Sequence, residues 1–378
     1  MKIAHLTSVH PRYDARIFLK ECRSLATSGH EVILIVADGN GDEVRDGVRI
    51  IDVGKLKGRA TRMFKTVNKV YEVAKKLDAD IYHLHDPELL RVARSLMGTG
   101  EKSVLFDAHE DMPRQILAKQ WIPRPFRPGI SWAAEIVEDY IVRRLSGVVA
   151  ATPHIADRFE RVNNYAIDIN NYPLMDELAA RSDSCKQRSQ ICYIGGLTQA
   201  RGIESLIQAL PLMPDVVLAL CGQFQEKELE DRVRALPGWE QVDYRGYVDR
   251  KGVQQVLNES VVGIVTLLPT PAYIDALPVK MFEYMSAGLP VVASNFPLWR
   301  EIIEGAKAGL CVDPQSPEAI AKTVRQLLDE PLLLEEMGRA GRSAVVNKYN
   351  WSSEAVKLKK FYDKIANRPN LHRGNFMR

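Results

Sequence analysis

The sequence contains no apolar run long enough to cross a bilayer. The longest, VVGIVTLL at 261–268, is far shorter than the roughly 20 residues that a membrane-spanning helix needs. The N-terminus, MKIAHLTSVHPRYD, holds only a few apolar residues before polar ones follow, which predicts a first strand and no signal peptide. We therefore expect a cytoplasmic protein without a membrane span.

Paired cysteine motifs are also missing. Five cysteines stand at positions 22, 185, 192, 221 and 311, and none of them forms C-x-x-C. Their odd number and wide spacing argue against a disulfide framework or a zinc ribbon. A reducing cytoplasm fits this pattern.

Length and charge divide the chain. Its 378 residues exceed the roughly 250–300 at which one hydrophobic core stops growing, so two domains are expected. Counted from the sequence, the net charge is +3 over 1–172, −5 over 173–349 and +5 over 350–378. Within the basic first part, residues 55–76 carry eight cations and one acid, which fits a basic amphipathic helix on anionic lipid or phosphate, or equally a solvated helix face.

Apolar strand-length runs alternate with helical stretches, which predicts parallel sheets covered by helices on both faces. The predicted strands of the first half are 2–8, 31–38, 48–54, 80–86, 103–110 and 147–152. Those of the second half are 190–196, 216–222, 241–247, 261–268, 290–295 and 308–313.

The polar stretch 170–190 separates the two halves. We expect an N-terminal Rossmann-like domain over 1–172, joined by a returning helix in 350–378, and a second such domain over 173–349. Two doubly wound domains in tandem place a ligand cleft between the carboxyl ends of their sheets.

Residues 275–294, DALPVKMFEYMSAGLPVVAS, lie between two predicted strands of the second domain. Pro278 suits the first position of a helix, so residues 276–279 would present free backbone N–H groups and the positive end of the helix dipole. Glu283 follows one and a half turns later, within reach of the same ligand. Alternatively, Asp275 is a plain helix cap and Glu283 half of a surface ion pair.

This stretch resembles the E-x7-E signature of retaining GT-B glycosyltransferases of family four, and the resemblance covers nearly the whole chain. It implies that the first acid, here Asp275 in place of glutamate, contacts the donor sugar, with backbone at Ala276, Leu277 and Pro278. It also implies that Glu283 contacts the nucleotide ribose.

A second matching segment is IGGLTQARGIESLI at 194–207. The family's G-R-L-x3-K-G supplies two cations to the donor diphosphate, whereas this chain has Gly195, Gly196 and one cation, Arg201, at the matching positions. We expect Lys280 to substitute for the missing cation.

Further site residues follow from the same resemblance. His109, after the strand in FDAHED, lies beside the donor sugar, and Gly246, Tyr247 and Val248 border the base. Asp14 follows the first strand, where the family places an acceptor loop. Arg16 lies in the same loop, and both are acceptor-binding candidates with His109.

His83 and His85 share one face of a strand, with Asp86 next to them, which is compatible with metal ligation. The spacing of metallohydrolases is absent, and family four carries a similar H-x-H-D-P segment without metal. No metal is therefore expected, and a metallohydrolase is the less favoured alternative.

The loop QWIPRPFRPGISW at 120–132 interleaves aromatic residues with arginine and proline. It fits a membrane-interface contact or a lipid-linked acceptor, and equally a loop packed on its own domain.

The resemblance implies a cytoplasmic, metal-independent, retaining glycosyltransferase with a UDP- or GDP-linked sugar donor. The expected acceptor is a hydroxyl of a glycan or a lipid-linked molecule in bacterial surface polysaccharide or lipopolysaccharide synthesis. Contact with an anionic membrane at its inner face is expected, and nucleic acid is not. The alternatives are a GT-B sugar-nucleotide epimerase and a non-catalytic nucleotide-sugar-binding protein.

Overall fold

The computed structural model describes residues 1–58, 61–98, 102–119, 122–174 and 189–368, which fold into two compact units. The first unit contains Met1–Asn171 and the residues from Ser352 onward, and the second contains Tyr172–Trp351. Most of the predicted connection at 170–190, from 175 to 188, lies outside the described residues.

The first unit is built on one sheet with the strand order β3-β4-β2-β1-β5-β6-β7-β8. Every pairing in it is parallel except that of β3 with β4. Its strands are β1 (Lys2–Leu6), β2 (Glu31–Val36), β3 (Glu43–Arg45), β4 (Val48–Asp52), β5 (Ile81–Leu84), β6 (Ser103–Ala108), β7 (Gly147–Ala150) and β8 (Ala166–Asp168).

The six strands predicted for this half are all present. Five of them have apolar runs that are buried in the sheet, whereas β4 exposes Arg49. The sequence pattern missed β3 and β8, which are three-residue edge strands without an apolar run.

Helices cover this sheet, and the predicted helix at 14–29 begins at Ile17 with π-type turns. The helical segments are Ile17–Cys22, Arg23–Thr27, Arg62–Thr66, Val67–Leu77, Pro87–Leu89, Leu90–Met97, Met112–Ala118, Arg124–Phe126, Arg127–Val142 and Pro153–Glu160.

The second unit has an all-parallel sheet with the order β11-β10-β9-β12-β13-β14. Its six strands match the six predicted ones: β9 (Gln190–Ile194), β10 (Val217–Cys221), β11 (Val242–Gly246), β12 (Val262–Val265), β13 (Val291–Ser294) and β14 (Gly309–Val312). The prediction of two parallel α/β sheets is confirmed.

Helical segments again connect the strands of this unit. They are Gln199–Arg201, Ile203–Ala209, Leu210–Leu212, Lys227–Arg234, Pro237–Gln241, Arg250–Glu259, Val279–Ser286, Pro297–Ile303, Pro317–Asp329 and Pro331–Asn347. The last helix of the chain, Trp351–Ala366, returns to the first unit, where the Tyr362 hydroxyl lies 2.7 Å from His83 Nδ1.

The strand order reverses between β1 and β5 in the first unit and between β9 and β12 in the second. Open α/β sheets bind ligands outside the carboxyl ends of their strands at such reversals. Among the described residues, none of the helices combines the length and apolarity that crossing a membrane requires.

Candidate functional site

The helix of the 275–294 stretch spans Val279–Ser286, and Pro278 precedes it in an extended conformation with ψ of 121°. The prediction that Pro278 is the first helical residue is therefore wrong by one position. Its ring fixes φ but leaves ψ free, so proline can end a loop as readily as it starts a helix. The helix closes at Gly288, whose φ of +70° favours glycine.

The expectation of a free backbone N–H at Ala276 is also wrong. That N–H donates to the Tyr273 carbonyl at 3.1 Å, and the Ala276 carbonyl accepts from the buried Trp299 indole at 2.7 Å. These bonds fix the loop that carries the half-buried Asp275 and Leu277. In the first helical turn the N–H of Met281 already donates to the Pro278 carbonyl at 3.0 Å, so the N–H groups of Val279 and Lys280 are those that the helix leaves without an internal acceptor.

Lys280 places its ammonium group inside the second unit. Its Nζ lies 3.7 Å from the centre of the Tyr193 ring and has no hydrogen-bond partner among the described residues. Burial, and then the nearby positive charge of Arg201, hold the pKa of Lys280 well below its ordinary value. An anion arriving here would relieve both penalties.

Gly195 and Gly196 directly follow strand β9, and the side chains of Lys280 and Arg201 lie close to them. A Cβ at Gly195 would lie 2.8 Å from Lys280 Nζ and 3.2 Å from Arg201 Nη1, and the φ of Gly195 is +137°. Arg201 Nη1 also donates to the Gly196 carbonyl at 3.3 Å. The structure thus brings together the two glycines and two cations at the point where the strand order reverses.

Glu283 forms an ion pair that the sequence analysis left as an alternative. Its carboxylate accepts from Arg250 Nη1 at 2.6 Å, with side-chain exposures of 12% for Glu283 and 54% for Arg250. Arg250 was missed, although it begins the helix directly after the predicted base-binding residues 246–248. A ligand hydroxyl that binds this carboxylate would compete with Arg250 for it.

Gly246 is the last residue of strand β11 and Tyr247 and Val248 follow it; the three differ in their surroundings. Gly246 has a φ of +61°, and its carbonyl accepts from the N–H of Gly222 at 2.7 Å. The Tyr247 side chain is 76% exposed, whereas Val248 packs against the core. Of these three residues, Tyr247 is therefore the one whose side chain is open to a ligand.

In the first unit, buried Asp107 on β6 organises the predicted His109. Asp107 Oδ2 lies 3.1 Å from His109 Nε2, and Arg16 donates to both carboxylate oxygens at 2.8 and 3.0 Å. Burial alone would raise the pKa of Asp107, but Arg16 and His109 hold it well below its ordinary value. Asp107 was missed in the sequence analysis, and its one signal there was its place two positions before His109.

The acceptor contact expected of Arg16 does not fit the structure. Arg16 is 3% exposed, and its remaining guanidinium nitrogen donates to the Ile169 carbonyl at 2.7 Å. All three nitrogens are therefore engaged inside the unit, and Arg16 positions Asp107 instead.

Asp14 lies in the same loop but acts first as a local cap. Its Oδ1 accepts from the backbone N–H groups of Arg16 and Ile17 at 2.9 and 3.0 Å, and its Oδ2 lies 3.1 Å from His10 Nδ1. The His10 ring, which the sequence analysis missed, is 4.9 Å from that of His109. These two half-buried rings are the groups of this cluster that face outward.

A histidine cluster lies behind His109. His85 Nδ1 is 3.1 Å from Asp107 Oδ2, and His85 Nε2 is 2.8 Å from His5 Nδ1. Burial lowers the pKa of both histidines and of His83, so these rings are neutral at pH 7. The chain of rings fixes the orientation of His109 through Asp107.

The same cluster offers metal-ligand atoms: those of His5, Glu21, His83 and His85 lie within 4.8 Å of one another. Arg16 Nε is 3.2 Å from Glu21 Oε1, so a protein cation already stands between the two buried carboxylates. Burial and the neighbouring Asp107 raise the pKa of Glu21. A raised pKa favours the protonated, neutral carboxyl group, which does not need a metal ion to balance its charge. We interpret the histidines and Asp107 as a hydrogen-bonded network, with Glu21 held beside it by its contact with Arg16.

A separate cavity of about 280 Å³ opens beside the carboxyl end of β1. Two of its wall residues are cationic, and the others are small or apolar. The lining residues are Ser8, Val9, Ala37, Lys55, Leu56, Gly58, Arg62 and Thr66.

Two family models match the chain in succession. "Glycosyltransferase Family 4" matches residues 15–169, and "Glycosyl transferases group 1" matches residues 175–344. Among curated proteins, a phosphatidyl-myo-inositol mannosyltransferase of Mycobacterium leprae is 23% identical over 299 residues, which cover 76% of this chain and 74% of that protein.

Solved structures resemble the fold over almost the whole chain. Sucrose-phosphate synthase from Thermosynechococcus elongatus has a TM-score of 0.77 at 18% identity, covering 96% of this chain and 98% of the other. HepE of Anabaena in complex with UDP-glucose has a TM-score of 0.74 at 15% identity, covering 96% and 100%. At these identities the likeness concerns the fold.

Proposed function

Since the chain belongs to the GT-B glycosyltransferases of family four, which act on nucleotide sugars, we propose that it is a retaining, metal-independent enzyme. It transfers a sugar from a UDP- or GDP-linked donor to a hydroxyl of a glycan or lipid-linked acceptor. Its place is the inner face of the cell membrane, in the synthesis of surface polysaccharide or lipopolysaccharide.

One observation carries the donor assignment: two cations, Lys280 and Arg201, converge on Gly195 and Gly196 at the reversal of the strand order. A diphosphate would give the unpaired ammonium of Lys280 the partner that the described residues do not supply. The first turn of helix Val279–Ser286 would add N–H donors and the positive end of its dipole.

The remaining donor contacts follow from this anchor. Asp275, held beside the helix start, takes the sugar hydroxyls, and Glu283 takes those of the ribose after Arg250 moves aside. Tyr247 offers its exposed ring to the base. The backbone at Leu277 borders the sugar.

In the transfer step the bond between the sugar and the diphosphate oxygen breaks while the acceptor oxygen bonds to the same face of the sugar carbon. The leaving oxygen takes the acceptor proton, so no separate base is required. Lys280 and Arg201 stabilise the negative charge on the leaving group. Because these protein cations serve the diphosphate, the step needs no metal ion.

The first unit supplies the acceptor side. His109, oriented by Asp107, presents its imidazole to a sugar or acceptor hydroxyl, with His10 and Asp14 beside it. The cavity lined by Lys55 and Arg62 suits an acceptor that carries a phosphate, as a lipid-linked glycan does.

Donor binding by a nucleotide panel tests the proposal. We expect UDP, GDP or one of their sugars to raise the melting temperature, with the same shift in EDTA, because binding of a ligand to the folded state stabilises it. Turnover that requires an added acceptor would exclude an epimerase, and binding without turnover would leave a nucleotide-sugar-binding protein. The absence of a shift with every nucleotide would contradict the proposal.

Proton uptake on donor binding is a further prediction. The pKa of Lys280 lies well below its ordinary value, and an adjacent diphosphate raises it, so binding draws a proton from solution at pH values between the free and bound pKa. Donor affinity should therefore fall as pH rises through that window. Calorimetry in PIPES and Tris buffers, whose ionisation enthalpies differ, measures the uptake, which should disappear in Lys280→Met.

A further inference from the structure

Helix Arg127–Val142 of the first unit leaves its apolar side chains uncovered. Trp132 is 67% exposed, Tyr140 59% and Val137 58%. Phe126, directly before the helix, is 63% exposed. Solvent-exposed apolar residues are common singly, but a contiguous set marks an interaction surface.

These residues lie on one side of the helix. At 100° per residue, Trp132, Ile136 and Tyr140 follow each other at steps of four along one stripe. Ile130 and Val137 form the neighbouring stripe, also exposed. We call this set, together with Phe126, the apolar face.

The acids of the same helix are paired with arginines of the first unit. Glu138 and Asp139 face Arg158, which is 9% exposed in its side chain. Glu135 pairs with Arg114 at 2.7 Å. Little negative charge is therefore left to repel an anionic partner.

Exposed arginines stand at both ends of the apolar face. Arg124 precedes it, and Arg143 and Arg144 follow it. The Arg144 guanidinium lies 3.9 Å from the centre of the Tyr140 ring. Aromatic rings flanked by basic residues match the boundary between lipid headgroups and acyl chains, where the rings sit at headgroup depth and the cations meet phosphate.

The basic helix Val67–Leu77 belongs to the same hydrophobic core, and helix Leu90–Met97 packs against both it and helix Arg127–Val142. The preceding turns, Arg62–Thr66, expose Met63 and Phe64. The positive charge of this segment therefore lies on the same side of the sheet as the apolar face.

We infer that the apolar face docks into the interface of an anionic lipid bilayer. The inference deepens the proposed function and rests on it in one respect: a lipid-linked acceptor has to be met at the bilayer surface. A second copy of the chain is the competing occupant, but the arginines at both ends would meet like charges in a symmetric pair, whereas lipid phosphates neutralise them.

Vesicle co-sedimentation tests the inference with the full-length chain. We expect the wild type to bind vesicles of phosphatidylcholine and phosphatidylglycerol, and bind them more weakly at high salt or without phosphatidylglycerol. The double variant Trp132→Ser/Ile136→Ser should bind about tenfold less, because it loses two side chains inserted between the lipids. Leu332→Ser, which removes a 77% exposed leucine of the second unit, is the matched control and should bind as the wild type does.

Two further readouts make the result decisive. Tryptophan emission quenched by brominated lipid should lose most of its quenching in Trp132→Phe. A far-UV circular dichroism spectrum and a melting curve that match those of the wild type show that the double variant remains folded. Equal vesicle binding by the double variant and the wild type, or no binding by the wild type, would overturn the inference. Concentration-dependent dimerisation that requires Trp132, without vesicle binding, would also overturn it and assign the face to a second copy.

The experiments can refute the docking surface and the proposed function independently of each other. Vesicle binding through the apolar face with no nucleotide binding would leave the docking surface standing and refute the donor assignment. Nucleotide-sugar turnover on a soluble acceptor without vesicle binding would support the donor assignment and refute the docking surface.

Discussion

Replacing Lys280 with methionine should lower kcat by on the order of 10²–10³-fold, the loss typical when one preorganised donor to a developing charge is removed. Methionine keeps most of the length of the side chain and removes only its charge. The loss should fall on kcat, because the leaving diphosphate becomes more negative in the transition state than in the bound donor.

The same substitution should leave the unliganded protein as stable as the wild type or more so. The Lys280 ammonium is buried over Tyr193 without a hydrogen bond to a described residue, and a buried polar group without a partner is costly. We expect a gain of about 1–2 kcal/mol in the free energy of unfolding, by analogy with buried charges replaced by apolar residues. Thermal or urea unfolding without nucleotide measures it.

Lys322→Met is the matched control, because Lys322 is an exposed lysine of the same unit. It should leave kcat unchanged. Wild-type kcat in Lys280→Met would contradict this prediction, and so would an equal loss of stability in Lys280→Met and Lys322→Met. In either case Lys280 would be a structural residue, and another group would neutralise the diphosphate.

Replacing Glu283 with glutamine should weaken donor binding by about 10–100-fold, equivalent to about 1.5–3 kcal/mol for a hydrogen bond to a charged group. The amide keeps the shape but accepts ribose hydroxyls without the negative charge. Because the ribose does not react, its contact is equally strong in the ground state and the transition state, so KM should rise while kcat stays nearly constant.

Two further variants serve as controls for Glu283→Gln. Arg250→Gln removes the ion partner of Glu283 and should raise donor affinity slightly, since ribose no longer has to displace the arginine and a half-exposed ion pair is weak. Glu336→Gln, at an exposed position, should have no effect. A kcat loss in Glu283→Gln at unchanged KM would contradict the ribose assignment and place Glu283 near the reacting bond.

Much of the fold was predictable because a run of apolar residues indicates a buried strand without any knowledge of distant parts of the chain. Twelve strands were found from their apolar runs, and most of them are buried in the sheets, although β11 is only half-buried. The two missed strands, Glu43–Arg45 and Ala166–Asp168, are held by neighbouring strands at the sheet edges and carry no apolar signal of their own.

The sequence alone determined the alternation of strands and helices and the placement of Gly195, Arg201, Lys280 and Glu283 near strand ends. These features follow from periodicity and from residues a few positions apart. Tertiary structure alone decided which partners these residues meet. Arg250 is 33 positions from Glu283, and Asp107 is 91 positions from Arg16.

Those distant partners changed the assignments. Arg16 became a buried support for Asp107, and Ala276 lost its free N–H to Tyr273. The ammonium group of Lys280 was found buried and without a hydrogen bond to a described residue. The physical reason is that burial, pairing and pKa depend on what the folded chain packs around a group, and a sequence pattern reports only the neighbours along the chain.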